Sequence, residues 1–436
     1  MTESFEAEPL LCESWDTEDG KVFHFRVRED VRFHNGSRLT PEDVAASLNR
    51  ARESAAYASR LRHVLAAYVL EGVLFIELDR VNQNFPLLLD VPILQNGGRD
   101  VDPVGTGPYP YAEGGGAVFL RAFDRWHGGA ELPMDRIYLQ NVEGSELISA
   151  FDAGVVDLAV SSRAEMNHLE FYGNTETRYQ DETLFFFLGV NRDAPFLAER
   201  NRRILLSSAL DRGRYCEEVT GGVPVTLPLH PAASFYSADY DPFTIRPADL
   251  EAARILYQVE DYDGDGWLDY INGNIAAVDS IYLRLVVNKE NPVKTELAHA
   301  IQAQLAEAGF RIRVRELAWE DYLSALKNRN YDLFLGEIRL TADFDLNALL
   351  GLEGSANYCV YDPELQNHID SFNHARAEDK PDAAASLYSY IAEDLPIFSL
   401  LFARRTITTH RETVTGMSPA PHDIFNHIEN WTVNLK

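Results

Sequence analysis

Apolar and polar positions alternate from Val22 to Arg28, with Phe23, Phe25 and Val27 on one side and His24, Arg26 and Arg28 on the other. A period of two is what a half-buried strand needs. A second short strand is expected over Val31–His34, leading into Asn35-Gly36, a dipeptide suited to a tight hairpin turn. The spacing then changes to that of a helix. Thr40 can cap, Pro41 fits the first helical position, and Glu42 and Asp43 sit where the helix N-terminus favours negative charge. Val44, Ser47, Leu48 and Ala51 follow at helical intervals, so one narrow face is buried.

From Val104 to Val190 short strands and helices are separated by glycines, and Gly114-Gly115-Gly116 reads as the tip of a hairpin before Val118, Phe119 and Leu120. It lacks the Gly-Lys-Ser/Thr ending of a phosphate loop. Asn201–Arg212 is expected to be helical. Between Ile281 and Glu337 the rhythm is strand, helix, strand, helix, strand. Ile281, Leu283, Leu285 and Val287 alternate, and Leu297, Ala298, Ile301, Leu305 and Ala308 form a helical stripe that Gly309 can end. Phe310, Ile312 and Val314 alternate again, a helix spans Trp319 to Lys327, and Tyr331 to Glu337 forms the last strand. Such alternation predicts a mostly parallel sheet in an α/β protein. No GxGxxG follows the first of these strands, so a dinucleotide site is not supported.

The length of 436 residues at roughly 150 per domain implies about three domains or subdomains. Lys and Arg number 39 against 68 Asp and Glu, a formal charge of −29. A surface of that sign repels phosphate backbones and anionic lipid heads, which argues against nucleic-acid and peripheral membrane partners. No apolar run approaches the ~20 residues that span a bilayer. The residues before Pro9 carry Glu3, Glu6 and Glu8 with no basic or apolar stretch, so they do not read as a signal peptide. Cys12, Cys216 and Cys359 are too few for a disulfide framework, although one pairing is open.

Candidate chemistry is sparse. Asp261, Asp263, Asp265 and Asp269, with Gly266 at the sixth position, nearly reproduce a calcium loop. Asn272 stands where a bidentate glutamate belongs, and the same residues also favour a polar hairpin turn. His410, His422 and His427 with Asp423 match no zinc spacing and read as scattered histidines. No GxSxG or HExxH is present, no cofactor is expected, and no carboxylate pair can be located for catalysis.

Taken in order, the segments acquire a family likeness. The run from Phe23 to Gly36, followed by Leu39–Val44, resembles the signature of the family 5 extracellular solute-binding proteins, the peptide/nickel-type receptors of ABC importers. Val104–Tyr109, Ala150–Asp157, Gly189–Asn191 with Ala194–Phe196, Ala209–Arg212, Tyr331–Leu333 and Trp431 continue it in the family's order. The resemblance implies a two-lobed α/β clamp of the type II periplasmic-binding-protein kind, in the large peptide-binding subclass with an extra subdomain. Residues 1–98 would be that subdomain, 99–190 plus 402–436 the first lobe, and 191–401 the second. The chain would cross between lobes near Gly189 and Asn191 and again near Leu401. The family also implies an extracytoplasmic monomer, often lipidated, that hands its solute to transporter permeases. Members usually carry several tens of residues before the equivalent of Leu10–Trp15, so a preceding segment with a signal is expected, together with an unpaired sheet edge here.

Peptide-binding relatives anchor the ligand's amino group on an aspartate after the Tyr-Asp-Leu strand. The corresponding stretch here, Gly336–Asp345, lacks the family's tryptophan and proline, and Asp343 and Asp345 are both candidates. Glu337 and Arg339 would share a strand face, either pairing with each other or leaving Arg339 to take a ligand carboxylate. Asn357 and Tyr358, where the family's chain returns past the cleft, and Tyr109 in the first lobe complete the expected contacts. Oligopeptide is the leading ligand class; opines, oligosaccharides and metal chelates are alternatives, as is use of the clamp as a cytosolic sensor.

Overall fold

The computed structural model describes all residues except 99–102, 130, 164–169, 274–276, 359–360, 422 and 435–436. Cys359 and His422 therefore lie outside the described residues.

The N-terminal alternation produces a four-stranded antiparallel sheet in which Cys12–Thr17, Val22–Val27, Val73–Leu78 and Val64–Leu70 lie side by side in that order. Helix Pro41–Ala51 covers one face. Its start follows from the sequence: Thr40 Oγ1 accepts from the Asp43 amide at 3.3 Å, and an Asp43 carboxylate oxygen accepts from the Thr40 amide at 3.1 Å. Phe23, Phe25, Phe33, Leu48 and Ile76 form the core beneath it. Val31–His34 is not a strand. Only an isolated bridge between Arg32 and Arg38 forms there, because the turn closes at once with the Gly36 amide donating to Phe33 O at 2.8 Å. The glycine run does make a hairpin: Gly115 and Gly116 take positive φ between strands Tyr111–Gly114 and Ala117–Arg121.

The α/β rhythm appears as strands Tyr282–Asn288, Arg311–Leu317 and Leu333–Arg339, separated by helices Pro292–Glu307 and Trp319–Lys327. Tyr282–Asn288 lies between the other two and pairs parallel with both. The parallel character ends there. Leu333–Arg339 pairs antiparallel with the 16-residue strand Thr175–Val190, which pairs antiparallel with the 14-residue strand Ile397–His410. The sheet is thus mixed, because its two longest strands serve both halves of the molecule. On the first of them Phe186, Leu188 and Val190 enter one apolar core while Phe185 and Phe187 enter another, as a strand covered on both faces requires.

These long strands are paired in two separate stretches. Towards one end Thr175–Val190 is held between Leu333–Arg339 and the start of Ile397–His410. Towards the other, residues 175–181 pair with Ile397–His410 alone, and Leu158–Ser161 joins that strand from its far side. Between them the register slips twice, first between Ser399 and Leu401 and then between Phe402 and Arg404. Phe402 lies opposite Phe185 and Arg404 opposite Asp181, so Glu182, Thr183 and Leu184 face only Ala403. A bulge of this kind bends the strand and interrupts its ladder.

Candidate functional site

A cleft of about 250 Å³ opens between the N-terminal sheet and the segment that follows strand Leu333–Arg339. One wall carries Arg60, Arg62, His63, Arg80 and Asn82; the other carries Arg339, Asp343, Asp345 and Asn373. A smaller space of about 120 Å³ adjoins it, sharing Ser59, Arg60, Arg339, Leu340 and Thr341.

The N-terminal wall is built by one hairpin. Val64 lies opposite Leu78 where strands Val64–Leu70 and Val73–Leu78 pair. The residues just before the first strand, Arg62 and His63, therefore meet those just after the second, Asp79 and Arg80. Arg62 Nε donates to His63 Nε2 at 2.6 Å, and His63 Nδ1 lies 3.0 Å from Asp79. Accepting from a guanidinium requires a neutral ring nitrogen. In agreement, burial first, then the charges of Arg80 and Arg62, hold the His63 pKa below its ordinary value, so its contact with Asp79 is a hydrogen bond and not an ion pair.

On the opposite wall the strand stops where the Leu340 amide donates to Thr183 O at 2.9 Å. A turn follows, with the Phe344 amide donating to Thr341 O at 2.9 Å and Phe344 itself at φ 55°. Phe344 is drawn into the core against Phe5, with ring centres 5.0 Å apart. Asp343 and Asp345 flank it on the cleft side. Asp343 is 2% exposed, accepts from Asn82 Nδ2 at 2.8 Å, and has its pKa raised by burial and then by Asp345. On Asp345, Oδ1 accepts from Asn347 Nδ2 and Asn373 Nδ2 at 2.7 and 2.8 Å, while Oδ2 meets Arg62 at 3.7 Å. Behind them lies the buried Lys380, whose Nζ donates to Phe372 O at 2.9 Å and sits over that ring. Burial lowers its pKa to about 7 against the raising pull of Asp343 and Asp345.

Of the residues expected from sequence, Asp343, Asp345 and Arg339 meet at this cleft. The others do not. Glu337 pairs with the buried Lys294 at 3.0 Å, and Arg339 with Glu182 at 3.3 Å, so the two do not pair with each other. Asn357 Nδ2 donates to Gly351 O at 2.8 Å, which ties down a loop. Tyr358 leans edge-on against Phe334, and Tyr109 donates to Met134 O at 3.1 Å beside the small Val414–Trp431 core. The expected crossing residues lie on or beside the two long strands. Gly189 is paired on both sides, to Phe334 and Ile397, and a Cβ there would stand 1.9 Å from the Phe334 ring. Asn191 Nδ2 donates to Tyr331 O, and Leu401 pairs with Phe186 and Pro224. Gly189 and Asn191 lie in continuous structure, whereas Leu401 lies between the two register slips of the long-strand pair, the second of which leaves Glu182–Leu184 opposite Ala403.

That break is strongly polar. Glu182, 2% exposed, receives Arg339 at 3.3 Å and Arg405 at 3.2 Å, and Arg404 Nε donates to Asp181 at 2.6 Å. His230 lies 3.8 Å from Asp181, but burial pushes its pKa down to about 4, so at neutral pH the imidazole is uncharged.

Cys12 and Cys216 are free thiols. His410 stacks on Phe151 and His427 meets Glu429, and neither joins a metal-ligating group among the described residues. Asp261, Asp263 and Asp265 bring oxygens within 4.8 Å of one another. Asp261 already accepts from the amides of Gly264, Asp265 and Gly266, and the buried Asp269 from that of Tyr262. These bonds are those of the polar turn.

Two groups of elements joined by a pair of long strands, with a polar cleft to one side of the ladder break, define a two-lobed clamp of the type II solute-binding class. The chain belongs to a particular family of that class: it matches the bacterial extracellular solute-binding proteins, family 5 middle, over residues 6–358. The oligopeptide-binding protein AppA of Bacillus subtilis is 21% identical over 453 residues, covering 95% of this chain and 81% of that protein. Among solved structures, a nickel ABC transporter protein from Bacillus halodurans superposes with a TM-score of 0.79 at 21% identity, covering 96% and 89% of the two chains. AppA from Bacillus subtilis in complex with a nonapeptide gives 0.64 at 19% identity, covering 99% and 91%. This is a family of ABC-importer solute receptors. No helix among the described residues is long and apolar enough to cross a membrane.

Arg60, Arg62, Arg80 and Asn82 were missed because no motif surrounds them in the sequence. The available signal was their position at the two ends of one hairpin.

Proposed function

We propose that the chain captures short peptides between its lobes and releases them unchanged to the permeases of an importer. One observation carries this reading: the cleft draws polar groups from both sides of the ladder break, so a solute bound there holds the closed form. A ligand shifts such an equilibrium only by contacts it makes better in one state than in the other. The likeness to the oligopeptide-binding protein AppA supports the peptide class.

In this reading residues 1–98 remain the extra subdomain, apart from the N-terminal end, whose Phe5 packs in the core of the second lobe. The first lobe runs to about Asp181 and resumes at Arg404, and the second lies between. The hinge is Glu182–Leu184 with Ala403, since strands bend where their ladder is interrupted. Asp345 anchors the peptide amine through Oδ2. Asp343 is a supporting residue, because its carboxylate is enclosed and held by Asn82. Direct nickel ligation is disfavoured, as both nitrogens of the cleft histidine His63 are engaged.

A mixed peptide pool is expected to raise the melting temperature of the protein, and Asp345→Asn to remove most of that rise. An equal rise in the variant overturns the anchor role. A pool that shifts neither protein overturns peptide capture.

A further inference from the structure

We propose that Arg60 takes the terminal carboxylate of the bound peptide, so that the cleft reads a short ligand from both ends. This deepens the peptide reading above and rests on it. Four arginines line the cleft, and three of them meet an acid. Arg62 lies 3.7 Å from Asp345, Arg80 3.8 Å from Asp79, and Arg339 3.3 Å from Glu182. Arg60 meets no carboxylate among the described residues. Its hydrogen bond goes to a backbone oxygen, with Nη1 donating to Asp90 O at 2.7 Å.

The guanidinium is nevertheless held in place. It lies 5.6 Å from the centre of the Tyr57 ring, and the next residue, Leu61, is buried in the N-terminal core. A group fixed in advance loses little freedom when a ligand arrives. With Nη1 engaged, the edge formed by Nε and Nη2 is the part left for a guest. That edge takes a carboxylate through two parallel bonds. The chain shows the pairing elsewhere, where Arg284 Nε and Nη2 donate to the two oxygens of Asp332 at 2.9 and 3.0 Å.

Position separates the two anchors. Arg60 borders both the cleft and the smaller space beside it, and so marks the end where the two meet. Asp343 and Asp345 border the cleft alone. A peptide amine on Asp345 therefore leaves the other terminus running towards Arg60. Charge agrees with this. The acids at the cleft, Asp79, Glu182, Asp343 and Asp345, equal its arginines in number, which suits a ligand with one charge of each sign. Space sets the length. About 250 Å³ is below the roughly 300–1,000 Å³ of sites for drug-sized ligands, and leaves room for about two or three residues. Nine extended residues would reach about 30 Å.

The test uses titration calorimetry on the whole chain with three pools: tripeptides, the same tripeptides amidated at the C-terminus, and nonapeptides. Losing a bidentate charge-assisted pair should weaken the amidated pool at least about tenfold. Nonapeptides should bind more weakly than tripeptides by a similar margin. Arg60→Gln should weaken tripeptide binding at least about tenfold and erase the preference for the free acid. Arg60→Lys should keep part of that preference, because it retains the charge without the fork. Equal binding of acid and amide by the parent protein overturns the carboxylate role and leaves peptide capture standing. A preference that survives intact in Arg60→Gln overturns the assignment to this residue. Nonapeptides held as tightly as tripeptides overturn the two-ended reading. If no pool binds, peptide capture fails and this proposal fails with it.

Discussion

Lys380 offers the most direct measurement of how the interior behind the cleft is organised. Its amine is 5% exposed, with Phe372 O at 2.9 Å as its hydrogen-bond acceptor and a pKa lowered from 10.5 to about 7, mainly by burial. Above pH 10.5 the folded and unfolded chains both hold it neutral, and burial then carries no ionisation penalty. As the pH falls towards 7 the unfolded chain takes up the proton and the folded chain does not, so folding loses stability across that interval. Below about 7 both forms are protonated and the loss is constant. At about 1.4 kcal/mol for each tenfold, the whole interval is worth roughly 5 kcal/mol, and the part between about pH 9.5 and 7 roughly 3. Lys380→Met keeps the volume and removes the titration. It also loses the neutral amine's contact with the Phe372 ring and its hydrogen bond to Phe372 O, a cost that is constant across an interval in which the folded amine carries no charge. The informative quantity is therefore the slope of the difference. Urea unfolding of both proteins from about pH 9.5 to 7 should show the variant gaining on the parent by roughly 3 kcal/mol as the pH falls. A difference that stays flat across the range would mean that Asp343 and Asp345 fully compensate the charge, and the reasoning fails.

Three further outcomes follow from the fold. Gly189→Ala places a methyl 1.9 Å from the Phe334 ring and should destabilise by about 1–3 kcal/mol or more in chemical unfolding; a neutral substitution would show that the ring can withdraw. Thr183 Oγ1 is buried and no partner reaches it among the described residues, so the near-isosteric Thr183→Val should raise stability by roughly 1 kcal/mol, and a loss of stability would reveal a bond made there. Calcium at about 1 mM should leave the melting temperature unchanged, because Asp261 and Asp269 already serve backbone amides; a rise of several degrees, absent in Asp263→Asn, would restore the cation loop.

Local signals were the legible part of this chain. Thr40, Pro41 and Asp43 announced a helix start and form the capping box, and the 281–337 rhythm became the parallel part of the large sheet. These features depend on neighbours within a few residues. Gly189, expected at a crossing, depends on a distant residue. A glycine suggests freedom, but here it makes room for Phe334, a residue 145 positions away. The ladder break lies instead among Glu182, Thr183 and Leu184, where periodicity alone shows no slip because the slip is defined by the partner strand. Glu337 and Arg339 were separated by partners on other elements, Lys294 and Glu182, that no alternation rule can reveal. At the cleft, the aspartates were found through the order of family segments. The arginines opposing them required the hairpin pairing of Val64 with Leu78.

The two long strands also constrain what kind of motion an observer should look for. A pair of neighbouring ribbons, continuous on either side of two closely spaced slips in register, yields readily out of the plane of the sheet and resists sliding or spreading within it. The excursion between apo and loaded forms then approximates a single angular coordinate. One pair of fluorophores, one on each half and far from the pivot, would follow it in full.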